Sequence, residues 1–217
     1  SCADIHASAL AAETSRYFFP NFSSIPRNRI GFISTRKKEM KAEIYHEFAN
    51  IDTTHWWFLG RRRIIELFLM RFLIPASERT ILDIGCGGGV HFPILESFGK
   101  VFGTEIAPEA IAILKRRGFG ERIFISSLPD IAVDKKFDVI TAFDVLEHVE
   151  NDEHSLKSVH NHLADGGIFM GTAPAYKWLW TDHDERVHHK HRYTKSDLVT
   201  KLARQGFHVE RVSYFNS

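Results

Sequence analysis

The chain has 217 residues, 44% hydrophobic and 25% charged, with 28 Lys plus Arg against 27 Asp plus Glu and a formal net charge of +1. That balance leaves no basic footprint for a nucleic acid or an anionic membrane, no apolar run approaches the ~20 residues needed to span a bilayer, and the N-terminus lacks the layout of a secretory signal. Cys2 and Cys86 give no disulfide framework, so one sizeable core in a cytoplasmic protein is expected.

Residues 1–39 show little periodicity and read as a poorly structured extension. From Met40 the pattern turns helical, and residues 40–77 are expected to form a helical segment ahead of the main domain. Within it, HWWFLGRRRIIELFLMRFLIP puts Trp57, Ile64, Ile65, Phe68, Leu69 and Phe72 on one helical face, and Pro75 ends it. Trp56 and Trp57 read as packing residues. Arg61 to Arg63 read as a solvated helix edge, with room for one arginine paired near a pocket.

Residues 78–217 alternate β-rich and helical runs. Strands are expected at TILDI (80–84), VFGTE (101–105), RIFI (122–125), FDVITAF (137–143), GIFMGTA (167–173) and FHVERVSYF (207–215). Helices are expected after Gly89, over 107–118, over 151–167 with Leu156, Val159 and Leu163 on one stripe, and from the capping-box pair Thr194 and Asp197 to Gly206. This alternation predicts a Rossmann-like, doubly wound α/β fold whose parallel sheet is covered on both faces.

The run ILDIGCGGG (81–89) closes the first of these strands and then drops almost all its side chains. Bare backbone at a strand-to-helix turn serves positive φ or a ligand pressed on the main chain. The dinucleotide pattern would need glycine where Val90 stands. The spacing is instead Asp83, Gly85, Gly87, Gly89, and Glu105 ends the next strand, where a carboxylate can accept hydrogen bonds from a ribose diol.

DIGCGGG, Glu105, FDVITAFDVLEHV and LADGGIFMGTAP together resemble the class I S-adenosylmethionine-dependent methyltransferases over about residues 78–215. The flanks HWWFLGRRR and WLWTDHDERVHHKHRYTKSDL are similar to a bacterial small-molecule methyltransferase group, which extends the likeness from about Met40 to the end. The resemblance implies S-adenosyl-L-methionine as cofactor, with Gly85, Cys86 and Gly87 lining its methionine part and Asp83 orienting the loop and the ammonium group. Glu105 would hold the ribose hydroxyls, Ile106 and Leu128 would flank the adenine, and Asp144 would edge the methionine and the substrate. Residues 40–77 would cover the site. Family members often place an acid before the leucine for the adenine amino group; this chain has Ser126 and Ser127.

The chain's 13 histidines gather towards its second half. Asp144, Glu147 and His148 would share one face if a helix began there. A related motif in methyltransferases acting on quinone precursors or RNA 3′ ends holds a divalent metal with a distant histidine, here His189 or His191. The Glu-His pair recurs without metal and Asp144 is shorter than the glutamate of that motif, so no metal is expected. His148, His183 and His189 are the candidate general bases. The loop after the fifth strand is expected to contact the acceptor through Asp184, Arg192 and Tyr193, with Arg192 and Tyr193 able instead to anchor it. Cys86 fits its place as a small residue, with no base near it in sequence.

The reading is methyl transfer to an O, N or C nucleophile of a small molecule or lipid-like acceptor. A non-catalytic nucleotide-binding partner protein is the alternative, with an NAD-dependent oxidoreductase behind it. The acceptor and the oligomeric state stay open. Class I members usually insert an antiparallel seventh strand between strands five and six, and here only Asn216 and Ser217 follow strand six. The expectation is therefore a fragment with six strands in the order 3-2-1-4-5-6 and an exposed edge beside strand five.

Overall fold

The computed structural model describes the backbone of residues 6–12 and all atoms of residues 55–215. In chain order these form β1 (His6–Ala12), α1 (Trp56–Phe72), β2 (Thr80–Ile84), α2 (Phe92–Leu95), β3 (Lys100–Thr104), α3 (Pro108–Arg116), β4 (Ile123–Phe124), β5 (Phe137–Phe143), α4 (Asp152–His162), β6 (Leu163–Pro174), α5 (Asp182–Arg186), α6 (Lys195–Arg204) and β7 (His208–Phe215). Single 3-10 turns at Leu146–His148 and Lys177–Leu179 follow β5 and β6.

The sheet order is β4-β3-β2-β5-β6-β1-β7, and every pairing is parallel. The six expected strands take the expected order, and the Rossmann-like fold follows. The missing seventh strand does not: β1 occupies the slot between β6 and β7, pairing His6 with Ile168 and with His208. That also corrects part of the 1–39 extension. The run HASALAA is poor in β-branched and aromatic residues, so its own propensity is weak. An inner slot supplies a ladder on each side, and two sets of backbone hydrogen bonds override that weakness. The strand is parallel, where the family's usual insertion is antiparallel. The remaining calls on residues 13–54, including the helical pattern from Met40, lie outside the described residues.

Strand alternation divides the core between the two faces. Leu82, Ile84, Ile140, Ala142 and Phe169 pack with Leu156 and Val159 of α4 and Leu198 and Leu202 of α6. Ile81, Val101, Val139 and Met170 pack on the other face with Phe92, Leu95, Leu114, the α1 residues Ile65 and Leu69, and Leu73 just beyond that helix. Asp83, Thr141 and Thr172 share that second face near the carboxyl ends of their strands and are all buried. Two boundaries differ from expectation. Leu163 begins β6, opposite Phe137, where a helical position was expected. The helix after Gly89 is only Phe92–Leu95. Thr194 and Asp197 form the expected capping box of α6.

Ala9 lies mid-strand in β1, opposite Gly171 on one side and Val212 on the other. An inner strand has no N–H facing solvent, so Ala9→Pro should destabilise the fold by about 2–4 kcal/mol. A lowered urea midpoint is the expected result; an unshifted one would place residues 6–12 outside the sheet.

Candidate cofactor and acceptor site

The site is built at the carboxyl ends of β2, β3, β5 and β6. After Ile84 the backbone turns through Gly85, Gly87 and Gly89 at φ of 62°, 53° and 74°. These left-handed values are strained for residues with a side chain. A Cβ on Gly85 would also come within 2.9 Å of Val145, whereas one on Gly87 would meet nothing within 4 Å. The loop therefore packs at one point and faces open space at another.

Glu105 fixes this loop. Its carboxylate accepts the N–H groups of Gly87 at 2.9 Å, Ile106 at 2.7 Å and Ala107 at 2.8 Å. Asp83 is 1% exposed. Its Oδ1 accepts from Thr141 Oγ1 at 2.6 Å, while Oδ2 is buried without a partner. Burial pushes this carboxyl up to about 7, against the lowering hydrogen bond from Thr141 and with a further upward push from Glu105. Ile106 is exposed and Leu128 buried. Ser126 Oγ is a second buried polar atom without a partner, and Ser126 is one of the two serines that stand where family members often place an acid. Cys86 is buried, and burial drives its thiol well above the usual range, so it is no nucleophile.

Asp144 follows β5 at φ 54°. Its N–H donates to Thr172 O at 3.0 Å and Thr172 Oγ1 at 3.1 Å, and its Oδ1 accepts from Thr172 Oγ1 at 2.8 Å. Its Oδ2 lies 2.6 Å from Arg61 Nη2, which also donates to Thr172 Oγ1 at 2.8 Å. The turn here is 3-10, so Asp144 does not share a helical face with Glu147 and His148. Arg61 is buried and is the one arginine of the triplet that pairs at the site, the exception allowed for in an otherwise solvated edge. The signal was available: Arg61, Ile65 and Leu69 recur every four residues, which places the arginine on the buried stripe of α1.

The acceptor side is assembled by a strap. Glu147 O accepts from Lys190 N at 2.6 Å and His191 N at 3.3 Å, so the loop after α5 lies on the turn after β5. That contact brings His148 and His189 to 4.8 Å between ring centroids, with His183 6.3 Å from His189. The three expected histidines are thus gathered around His189. Burial, then the neighbouring His189, lowers the pKa of both His148 and His183, so each is neutral near pH 7. Glu147 is 1% exposed, and burial first, with Asp144 second, raises its carboxyl well above the usual range. Its Oε2 has no partner.

Asp184, Arg192 and Tyr193 form the frame of this loop, which for Arg192 and Tyr193 is the anchoring alternative the sequence offered. Asp184 is 0% exposed. It accepts from Arg192 Nε at 2.8 Å and Nη2 at 2.9 Å, from Thr181 N at 2.8 Å, and pairs with His189 Nδ1 at 2.8 Å. Burial would raise this carboxyl, but those hydrogen bonds, Arg192's foremost, hold it well below the usual range. An ionised carboxylate only accepts, so Nδ1 of His189 is the donor in this contact. Tyr193 is buried, its hydroxyl 3.0 Å from Asp152 Oδ2 and 3.1 Å from Leu146 O.

Comparison with known proteins agrees with this geometry. Residues 56–212 match a family described as a methyltransferase domain. A curated relative, the ubiquinone biosynthesis O-methyltransferase of Glaesserella parasuis, is 31% identical over 145 residues, covering 58% of this chain and 61% of the relative. The chain therefore spans about three fifths of the length of such a relative. Among solved structures, an S-adenosylmethionine-dependent methyltransferase from Clostridium acetobutylicum superposes with a TM-score of 0.56 at 17% identity, covering 78% of this chain and 87% of that one. The [4+2]-cyclase SpnF superposes with a TM-score of 0.56 at 19% identity, covering 69% and 58%. The two share a fold under names of different chemistry.

Removing Arg192 would leave Asp184 charged and buried, so Arg192→Met should destabilise the protein by about 3–5 kcal/mol. Thermal unfolding checks this, and a normally stable variant would return Arg192 to the acceptor pocket.

Proposed function

The chain belongs to the methyltransferase domain family, and from that membership we propose that it transfers the methyl group of S-adenosyl-L-methionine to a nucleophile on a small-molecule or lipid-like acceptor. The sulfonium is already activated. The protein therefore has to align donor and acceptor in line, exclude water and, for a hydroxyl acceptor, take a proton.

One observation carries the cofactor reading: around the open loop at Gly87, the buried Asp83 Oδ2 and Ser126 Oγ lack partners. An ammonium group satisfies the first and an adenine edge the second, so the residues present fit the cofactor. Ile106, 59% exposed, offers the apolar surface for the adenine face. Glu105 already accepts three main-chain N–H groups, which leaves about one lone pair of its carboxylate for a ribose hydroxyl. Glu105 thus has two tasks, shaping the loop and receiving the sugar. Asp144 borders the methionine end. When bound, the cofactor supplies the electrophilic methyl group.

On the acceptor side, the Asp184–His189 pair favours oxygen as the nucleophile. A hydroxyl must lose its proton for efficient attack, and His189 Nε2 is oriented to receive it while Asp184 stabilises the imidazolium. The O-methyltransferase name of the Glaesserella parasuis relative points the same way. His148 and His183, neutral by burial, wall the chamber without adding charge beside the cationic methyl donor.

A second reading rests on Glu147, His148 and His189, whose donor atoms lie within 4.8 Å of one another. One oxygen and two imidazole nitrogens suit a divalent ion such as zinc or manganese, the unpartnered Glu147 Oε2 fits such a ligand, and Asp184 behind His189 is the usual outer partner of a ligating histidine. A metal there would lower the pKa of a bound acceptor hydroxyl.

Two experiments test these readings. Because Asp83 titrates near 7 in the free protein, it must lose its proton to meet the ammonium group, so cofactor affinity rises as pH rises. Calorimetry with S-adenosylhomocysteine should show about fivefold to tenfold tighter binding at pH 7.5 than at pH 6, and Asp83→Asn should flatten that dependence. No binding at either pH would reject the cofactor reading. In the base reading, His189→Gln lowers turnover about 10²–10⁴-fold and EDTA leaves wild-type activity intact. Loss with EDTA, restored by added zinc or manganese, would select the metal reading.

A further inference from the structure

We propose that Arg61 is a positioning residue that couples the seating of the N-terminal turns of α1 to the carboxylate of Asp144, so that this end of the helix closes on the cofactor chamber only while the pair is made. The proposal rests on the methyltransferase reading of the site. Arg61 reaches from α1 across 111 positions of sequence to Thr172. Its side chain is 9% exposed while that of Asp144 is 37% exposed. The pair therefore runs from the buried underside of the helix to the border of the chamber. A guanidinium so enclosed is stable only while paired, and a single nitrogen, Nη2, makes both the 2.6 Å contact to Asp144 and the 2.8 Å bond to Thr172. Its Nε is buried without a partner. Ile65 and Leu69 anchor the C-terminal half of α1 in the core, so the N-terminal turns are the part that leans on Arg61, through this nitrogen and the Trp57 ring 5.8 Å from its guanidinium carbon.

Asp144 is equally dependent. Its backbone sits in the left-handed region, at φ 54°, where Thr172 and Arg61 together hold it. Its neighbour Glu147 feels Asp144 as an upward push and Arg61 as a downward one on its carboxyl. Releasing Arg61 would let the N-terminal turns of α1 lift and would free the Asp144 carboxylate at the same moment. The wall and the floor of the chamber then open as one unit. The opposite face of α1 adds little hold, since Trp56, Leu67 and Met70 are exposed.

The test is a cycle of Arg61→Met, Asp144→Asn and the double variant. Methionine keeps an apolar stem without the charge, and asparagine tolerates positive φ while losing the charge. Readouts are hydrogen exchange of α1 amides and S-adenosylhomocysteine binding. Each single change should speed α1 exchange about tenfold and weaken binding about fivefold, and the double should be no worse than the more severe single. Arg61→Lys, which keeps the charge, should recover part of both and serves in place of Arg61→Met if that variant fails to fold. Unchanged α1 exchange in the Arg61 variants, or effects that multiply in the double, would overturn the coupling. Wild-type protein that binds no S-adenosylhomocysteine would overturn the methyltransferase reading instead, and the exchange data would still decide whether Arg61 and Asp144 act together.

Discussion

Three main-chain N–H groups converge on the carboxylate of Glu105, and the geometry of the site follows from that convergence. A loop whose glycines sit at positive φ has many conformations open to it when unfolded. Something has to select one. A carboxylate at the end of β3 does so by accepting from Gly87 on one side and from its own strand's exit on the other. The end of β2 and the end of β3 are thereby held as one surface, with Asp83 buried beneath it. The same device leaves that surface acidic, suited to a ligand that brings its own positive charge.

The sheet's framework was readable because the strands are buried on both faces and so appear as short apolar runs between glycines and helices. The Asp83 to Gly89 spacing and Glu105 were readable for a related reason: each lies at a strand end, where topology alone decides what meets what. The remainder depended on distant partners. Arg61 looks like one member of a charged triplet until α1 is seen to lay it on the same stripe as Ile65 and Leu69. Asp184 and Arg192 carry the residue types of a binding loop, yet they neutralise each other in the interior. Leu163 continues the apolar stripe of α4 in sequence, and only its pairing with Phe137 shows that the helix has already ended.

The acceptor side makes a broader point about buried charge. Asp184 is ionised because Arg192, Thr181 and His189 all donate to it, while Glu147, with an oxygen within 4.8 Å of His189, has an unpartnered oxygen and a raised pKa. Two carboxylates in one small region are thus pushed in opposite directions, Asp184 down by its hydrogen bonds and Glu147 up by burial and the neighbouring Asp144. His189 links the two, its Nδ1 2.8 Å from Asp184 Oδ1 and a ring nitrogen within 4.8 Å of a Glu147 oxygen.

The placement of β1 has a consequence for how the domain comes together. Its pairing with β6 closes a loop of about 160 residues and its pairing with β7 one of about 200, among the most non-local contacts the chain can make and therefore slow to form. The slot exists only after both flanking strands are in place. Toward residues 6–12 the rest of the domain behaves as a receptor does toward an extended peptide, adding a strand by main-chain hydrogen bonds. Its occupancy is then governed by effective concentration, the quantity that describes a tethered ligand, more than by the intrinsic preferences of the seven residues themselves.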